Sequence, residues 1–337
     1  MKRVLASASG EIVVEETAPP QTASGHVLIA ASCSLISPGT ELHYRGEAGR
    51  RGVPMPLGYC SSGTVIETGA GVEGLSAGDR VVAMGWGHAL HAGIVAVPQR
   101  LCRRLPDDVD FEHGVFAALI CTALHARARA GPVAGTSALV IGAGLVGHLV
   151  ARTLRLGGAD LGLSDIDVGR MTRTRADFQV VAGPTGWETR PARDIDIIVL
   201  TLSGRHDDIL ARCAASLRRE PNGRPIGRIV VVGRLETRVA FDVTLGNIDV
   251  LNAAHAGYGY RDAAYVSGHV SYPPPPGQSL VDDNLAEAVE LVAAGGVDPA
   301  SLHTHRFAVE DAAQAYSLLA DPASGALGVT LHYRETT

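Results

Sequence analysis

Aromatic residues are scarce, at 4% of 337 residues, so any core in this chain must be built mainly from aliphatic side chains. The five cysteines, Cys33, Cys60, Cys102, Cys121 and Cys213, are scattered, odd in number and never in CxxC spacing. That disfavours a disulfide framework and a structural zinc lobe, and points to a reducing compartment. Basic residues are not in excess: the formal net charge is −6, so neither nucleic acid nor an anionic membrane is an expected partner. There is no long apolar run either. The most apolar window, 138–154, is interrupted by glycines, His148 and Arg152, and is too amphipathic to span a bilayer. Met1-Lys2-Arg3-Val4-Leu5-Ala6 runs directly into polar residues, unlike a signal peptide. These absences leave a cytoplasmic protein as the expectation. What is plentiful is glycine, at 40 residues, with 46% hydrophobic and 19% charged residues. This is the composition of a folded chain long enough for two domains.

The first 120 or so residues alternate short β-rich runs with glycine turns. The expected strands are Glu11–Glu16, His26–Ser32, Gly63–Thr68, Arg80–Met84 and Gly93–Val97, spaced as in a compact, partly open barrel. After about Thr122 the pattern changes. Short apolar runs at Ala138–Ile141, Leu161–Ser164, Gln179–Ala182, Ile195–Leu202, Arg228–Val232 and Val250–Ala253 alternate with amphipathic segments. Such runs are what a parallel sheet covered on both faces requires. Gly204–Asp208 and Pro221–Gly227 read as loops. The tail reverts to mixed structure, with a stiff connector Ser271–Pro276, helices over Asn284–Ala294 and Val309–Leu319, and a strand His303–Phe307.

The firmest motif is Gly142-Ala143-Gly144-Leu145-Val146-Gly147. It follows the apolar Leu139-Val140-Ile141 and opens a helical run, Leu145–Leu156, which is the context a dinucleotide phosphate turn needs. Gly142 permits the sharp turn, Gly144 lets backbone approach a pyrophosphate, and Gly147 lets the helix pack on the strand. The free N–H groups at the helix start, at Leu145 and Val146, face the phosphates. Asp165, at the end of the next strand, is expected to accept from ribose hydroxyls and to repel a 2′-phosphate, which favours NAD; Arg170 leaves NADP open, and the alternative reading of Asp165 is a helix cap. Thr122 and Gly233 complete the expected cofactor contacts. The fold expected is α/β, with a six-stranded doubly wound Rossmann domain.

Three further stretches carry a family resemblance: Gly63-Thr64-Val65-Ile66-Glu67-Thr68-Gly69, Gly78-Asp79-Arg80-Val81-Val82, and Phe307-Ala308-Val309-Glu310-Asp311-Ala312. With the glycine turn they make the chain resemble a medium-chain dehydrogenase/reductase over nearly its whole length. The resemblance implies a GroES-like β-barrel catalytic domain in two segments, 1–124 and 264–337, around a dinucleotide-binding domain at 125–263. It also implies hydride transfer between a nicotinamide and a substrate carbon.

Zinc-binding members of that family carry ligands where this chain has Pro38, Tyr59 and Ala118, and none of these can bind zinc. A zinc-independent member is therefore expected. Thr40 matches the family's relay hydroxyl and His43 its relay histidine, while Tyr59 stands where a ligand would point at the reacting centre. These three are the expected catalytic residues, with an ordinary turn hydroxyl, a loop histidine and a packing tyrosine as the alternatives. A metal at His88, His91 and Cys60 is disfavoured. Ile36–Glu41 together with Gly257–Asp262 and Tyr265 resembles a zinc-less branch that includes bacteriochlorophyllide dehydrogenase and the dehydrogenase halves of two-domain sugar-type oxidoreductases. That branch implies a secondary alcohol or ketone on a polyol, sugar or cyclitol-type molecule. The rival expectations are an NADPH-dependent enoyl or quinone reductase, and an inactive dinucleotide-binding protein. A homodimer is the family's usual assembly.

Overall fold

The computed structural model describes residues 1–181 and 194–333. The chain divides into two compact units. One comprises Met1–Cys121, Gly257–Pro275 and Ser279–Thr337; the other comprises Thr122–Ala256 with Pro276–Gln278.

The first unit begins with strands β1 (Lys2–Ala6), β2 (Ile12–Glu16), β3 (His26–Leu35), β4 (Met55–Pro56), β5 (Cys60–Thr68), β6 (Arg80–Met84), β7 (Ile94–Pro98) and β8 (Cys102–Arg104). Helix α1 (Pro38–Arg51) interrupts them, α2 (Phe111–Gly114) follows, and α3 (Ala117–Ala130) begins in this unit and continues into the second from Thr122. The second unit holds β9 (Ser137–Ile141), β10 (Asp160–Asp165), β11 (Phe178–Val181), β12 (Ile197–Leu200), β13 (Gly204–Arg205), β14 (Ile226–Val231), β15 (Leu235–Glu236) and β16 (Asn247–Asn252), with helices α4 (Leu145–Leu156), α5 (Val168–Met171) and α6 (Ile209–Ser216). The chain then re-enters the first unit through α7 (Ala263–Val266), α8 (Val281–Ala293), β17 (His303–Ala308), α9 (Ala312–Ala320) and β18 (Gly328–His332).

In the first unit the sheet order is β17-β18-β3-β5-β6-β8, with β7 also paired to β3. The returning strand β18 lies antiparallel to β3, Leu331 opposite Ser34. Its core joins the two ends of the chain: Val4 and Ile36 are buried with Val309, Ala315, Tyr316 and Leu331. In the second unit six strands run parallel in the order β11-β10-β9-β12-β14-β16. This is the doubly wound dinucleotide order, which reverses beside β9 and leaves a crevice at the carboxyl ends of the strands. Leu139, Val140, Leu161, Leu163, Ile198 and Val199 are fully buried, as a sheet covered on both faces requires.

Several features depart from the sequence reading. Helix α1 covers the stretch that begins at Pro38, so Thr40 sits on a helix and not in a simple turn, and His43 is not in a loop. Proline at its first position, Glu41 in its first turn, Arg50 and Arg51 in its last and a left-handed Gly52 at its end are all helix signals. The stretch Gly204–Asp208 is not all loop, because Gly204–Arg205 pairs in parallel with Leu235–Glu236. Strand β1 was not expected, since it opens on Lys2-Arg3, yet Val4, Leu5 and Ala6 are buried. Ala182, expected at the end of the third parallel strand, lies outside the described residues. Among the described residues, no helix is long and apolar enough to cross a membrane.

Two histidines of the second unit make its stability depend on pH. His148 is fully buried, with Nδ1 2.8 Å from Thr174 Oγ1; burial, then Arg152, pulls its pKa down to about 4. His125, 3% exposed, is drawn down to about 4 by burial, then by Arg129 and His255. Both are neutral in the folded protein, whereas an unfolded histidine takes up its proton near pH ~6.5. The stability that depends on neutral rings is therefore present above that pH and is lost as pH falls towards 4. We expect the urea midpoint to drop between pH 7 and pH 5, and to drop less steeply in His148→Gln. Equal slopes in the two proteins would refute the assignment.

Candidate functional site

The second unit carries the cofactor half. Strand β9 ends at Ile141, and Gly142 turns with φ +106°, a conformation in which a side chain is strained. Gly142 N–H donates to Ser164 O at 2.8 Å, and Ala143 N–H donates to Asp165 Oδ2 at 2.6 Å. Gly144 caps α4 with ordinary extended backbone, and a Cβ there would meet nothing within 4 Å. The space in front of Gly144 is open, as the approach of a pyrophosphate demands. Gly147 is confined: a Cβ would overlap the Gly142 carbonyl oxygen and come within 2.9 Å of Thr201 Oγ1. The backbone N–H groups of α4's first turn, at Leu145, Val146 and Gly147, have no partner within the helix, and its dipole adds positive character there. A dinucleotide fits this cradle.

Asp165 closes β10, half-buried, and its second oxygen accepts from Asp167 N–H at 2.9 Å. Its carboxylate thus braces the glycine turn and keeps lone pairs to spare for hydroxyl donors. The cap of α5 is Asp167, whose side chain accepts from Gly169 N–H. Arg170 faces Asp167, 3.5 Å away. Beside Asp165, Ile166 is 80% exposed and Val168 51%, an apolar shelf suited to a heterocycle. Thr122 is half-buried on α3. Gly233 follows β14 with φ +108°, where a Cβ would stand 3.2 Å from Leu202 O. Sequence reasoning missed Thr201. Its hydroxyl lies 2.9 Å from Gly142 O and 3.1 Å from Ile141 O, donating to the carbonyls that fix the turn. The pairing of β12 with β9 brings it there, 59 residues beyond Gly142.

The three expected catalytic residues, Thr40, His43 and Tyr59, lie in the first unit. Gly58 has φ +96°, and a Cβ there would collide with the backbone nitrogen of His91. The next residue, Tyr59, is half-buried. Its hydroxyl donates to Ser37 Oγ at 2.6 Å, with the Thr40 side chain as a second hydrogen-bonding neighbour. Burial pushes this phenol well above the ordinary tyrosine range; Cys60 and Glu41 add to that, while the bonds to Ser37 and Thr40 oppose it. Tyr59 therefore holds its proton through the neutral range. Trp86 stands 6.0 Å from Tyr59 between ring centroids and 4.2 Å from Tyr44. Trp86 backbone N–H donates to Tyr260 hydroxyl at 2.8 Å. His43 lies one turn beyond Thr40, with Nε2 3.8 Å from Glu47 and its ring 5.3 Å from Tyr44. The structure thus brings Tyr59 and Thr40 together, adds Ser37, and sets His43 against Glu47 and Tyr44.

Pro38 opens α1 and Ala118 is fully buried on α3. Among the described residues, no group of three or more His, Cys, Asp or Glu side chains could hold a metal ion. His91 is fully buried against Glu41, and His88 faces His26 at 6.0 Å. The five thiols are free and buried, and burial pushes Cys60 and Cys121 upwards.

A glycine cradle at the head of a doubly wound parallel sheet is what the binding of a nicotinamide dinucleotide requires. Residues 23–122 match the family model for the alcohol dehydrogenase GroES-like domain. The chain is 26% identical to sorbitol dehydrogenase 2 of Saccharomyces cerevisiae (strain ATCC 204508 / S288c), covering 91% of each protein. Among solved structures it is similar to galactitol-1-phosphate dehydrogenase from Escherichia coli, with a TM-score of 0.77 at 19% identity over 99% of this chain and 100% of that one. It is also similar to the alcohol dehydrogenase rspB of E. coli CFT073 complexed with cofactor NADH, with a TM-score of 0.76 at 18% identity over 99% of both chains. Over residues 23–122 the chain thus carries the alcohol dehydrogenase GroES-like domain, as a whole it has the fold of these dehydrogenases, and it is an NAD(P)-linked oxidoreductase.

The two glycines of the cradle should respond differently to alanine. Gly147→Ala forces backbone apart and should cost roughly 2–4 kcal/mol of stability along with cofactor binding. Gly144→Ala has room and ordinary backbone, so stability should stay within about 0.5 kcal/mol while NADH affinity falls at least ~10-fold. Urea unfolding and NADH fluorescence titration measure both. Equal stability loss in the two variants would contradict the geometry.

Proposed function

We propose that this enzyme interconverts a secondary alcohol and its ketone on a polyol, sugar or cyclitol-type molecule, without zinc and with NAD preferred to NADP. The observation that carries the reading is the Tyr59 hydroxyl, half-buried, bonded to Ser37 and beside Thr40, at the position where zinc-binding relatives keep a ligand. The bound nicotinamide supplies or accepts the hydride. Without a Lewis acid, the negative charge that grows on the substrate oxygen must be met by hydrogen-bond donors already in place. Tyr59 holds its proton and can donate to that oxygen, and Thr40 adds a second hydroxyl. His43, on the same helix face region as Thr40, is the group assigned to exchange the proton with solvent.

In the cofactor half, Gly142, Gly144, Leu145, Val146 and Gly147 receive the pyrophosphate, and Asp165 the ribose hydroxyls. Thr122 and Gly233 are assigned to the nicotinamide end. Asp165 carries the preference for NAD, since a 2′-phosphate beside its carboxylate would be repelled. The substrate class is supported by the names of the relatives, sorbitol and galactitol-1-phosphate dehydrogenases. The domain assignment that goes with this reading is 1–124 with 264–337 for catalysis and 125–263 for the dinucleotide, in a cytoplasmic homodimer of the zinc-less sugar-type branch.

Turnover on a panel of polyols, cyclitols and the corresponding ketones is the direct test. Tyr59→Phe should lower kcat ~10–100-fold and Thr40→Val about 10-fold, with smaller changes in KM. Because burial raises the Tyr59 phenol, ketone reduction should not lose rate through Tyr59 ionisation until well above the ordinary tyrosine range. NADH should bind at least ~10-fold more tightly than NADPH. Tighter NADPH binding with turnover of enones instead would replace this reading by an enoyl reductase, and full activity in both variants would remove the proton assignment.

A further inference from the structure

Ser37 meets the Tyr59 hydroxyl, yet its own side chain makes no capping bond to the first turn of α1. Its position is set from its backbone: Ser37 N–H donates to Glu41 Oε1 at 2.8 Å. Glu41 is fully buried. Its other oxygen accepts from His91 Nε2 at 2.8 Å and from the Tyr316 hydroxyl. His91 Nδ1 lies 2.7 Å from Ser34 Oγ, which in turn lies 2.9 Å from the Tyr333 hydroxyl. The same histidine holds the other side of the pair, because its backbone N–H donates to Leu57 O at 2.9 Å and its backbone fills the space a Gly58 side chain would need. One buried cluster therefore fixes both Ser37 and the approach to Tyr59.

Ser34, His91 and Glu41 have the connectivity of a hydroxyl–imidazole–carboxylate triad. All three are fully buried, so no acyl group can reach Ser34, and the arrangement can hold but not attack.

We propose that Glu41, clamped by His91 and Tyr316, is a positioning residue that keeps Ser37 against the Tyr59 hydroxyl. This rests on the proton role given to Tyr59 above. A serine hydroxyl both accepts and donates. Ser37 accepts from the phenol while Tyr59 holds its proton, and turns to donate to the phenolate once that proton has passed to the substrate oxygen. The O–H bond of Tyr59 breaks, an O–H bond forms on the reduced substrate, and the charge left on Tyr59 is met by Ser37 at 2.6 Å. Losing the Glu41 anchor frees Ser37 and removes that donor.

The test is a double-variant cycle on kcat for ketone reduction, run well below each variant's unfolding temperature. Ser37→Ala and Glu41→Gln should each lower kcat about 10-fold with KM changed less than ~2-fold, and the double variant should fall no further than Ser37→Ala alone. Tyr316→Phe keeps the carboxylate and should lower kcat only about 3-fold. Multiplying effects, or a wild-type kcat in Glu41→Gln, would overturn the proposal. A second readout needs no substrate. With ¹³Cζ-labelled tyrosine, the Tyr59 resonance, assigned by its loss in Tyr59→Phe, should move in the same direction in Ser37→Ala and Glu41→Gln; should Glu41→Gln not fold, Tyr316→Phe takes its place. An unmoved resonance sinks the positioning role. A moved resonance in a protein that turns over no alcohol or ketone sustains the clamp and overturns the proposed function alone.

Discussion

A carboxylate taken out of water must be surrounded by donors, and in the first unit that requirement falls on Glu41. Three donors meet it, from the Ser37 backbone, His91 and Tyr316, and each comes from a different part of the chain. Ser37 starts α1, His91 lies between β6 and β7, and Tyr316 belongs to α9 near the end of the sequence. Removing one member of such a buried group costs roughly 3–5 kcal/mol, because the remaining charge cannot be rehydrated. The same constraint explains why the C-terminal segment must return to the unit built by the N-terminal one. Tyr316 and Tyr333 complete a polar cluster that the first 121 residues leave short of partners.

The second unit solves its central packing problem by omission of side chains. At Gly147 the helix comes so close to the Gly142 carbonyl that no Cβ fits, and Thr201 fills the remaining polar vacancy. Backbone meets backbone, so the turn has little freedom to sag, and the N–H groups of α4's first turn remain aimed at whatever occupies the open space before Gly144. Rigidity here comes from contact, whereas at Glu41 it comes from satisfied charge. Contact between backbones tolerates no added methyl, and a charge tolerates no lost donor.

This difference governs what could be read in the sequence. The glycine turn is legible because its parts are local: an apolar strand, three glycines at fixed spacing and a helix lie within about 20 residues, and α4 spans Leu145–Leu156 as its periodicity indicates. The parallel strands are legible because burial on both faces leaves unbroken apolar runs. Helix α1 is not visible to a periodicity argument, since the side chains it buries are Glu41 and Ala48, a charge and a methyl. Strand β8 reads as Cys102-Arg103-Arg104 and gives no apolar alternation. Ser37 could have been suspected from its place before proline at a helix start, but its role depends on Tyr59, 22 residues on. Glu41 and His91 are 50 residues apart, and no spacing rule links them. Local geometry leaves a mark in sequence, and long-range satisfaction of buried polar groups does not.

On the proposed function, Pro38 and Tyr59 standing where zinc-binding relatives keep ligands has a consequence for the chemistry. A metal ion stabilises an alkoxide by its own charge and needs no proton to do so. A phenol stabilises it by sharing a proton, and it is useful only if that proton is kept until the substrate oxygen needs it. Burial keeps it there, and the nearby Glu41 charge works in the same direction. Too much of either would make the phenolate so costly that the proton could never leave. Ser37, which accepts from the phenol and on our proposal turns to donate to the phenolate, and Thr40 oppose that cost, and the proposed clamp at Glu41 keeps Ser37 in place to do so. The charge that raises the barrier to ionisation is thus the same charge that positions the groups that lower it, which ties the acidity of Tyr59 to the packing of Glu41.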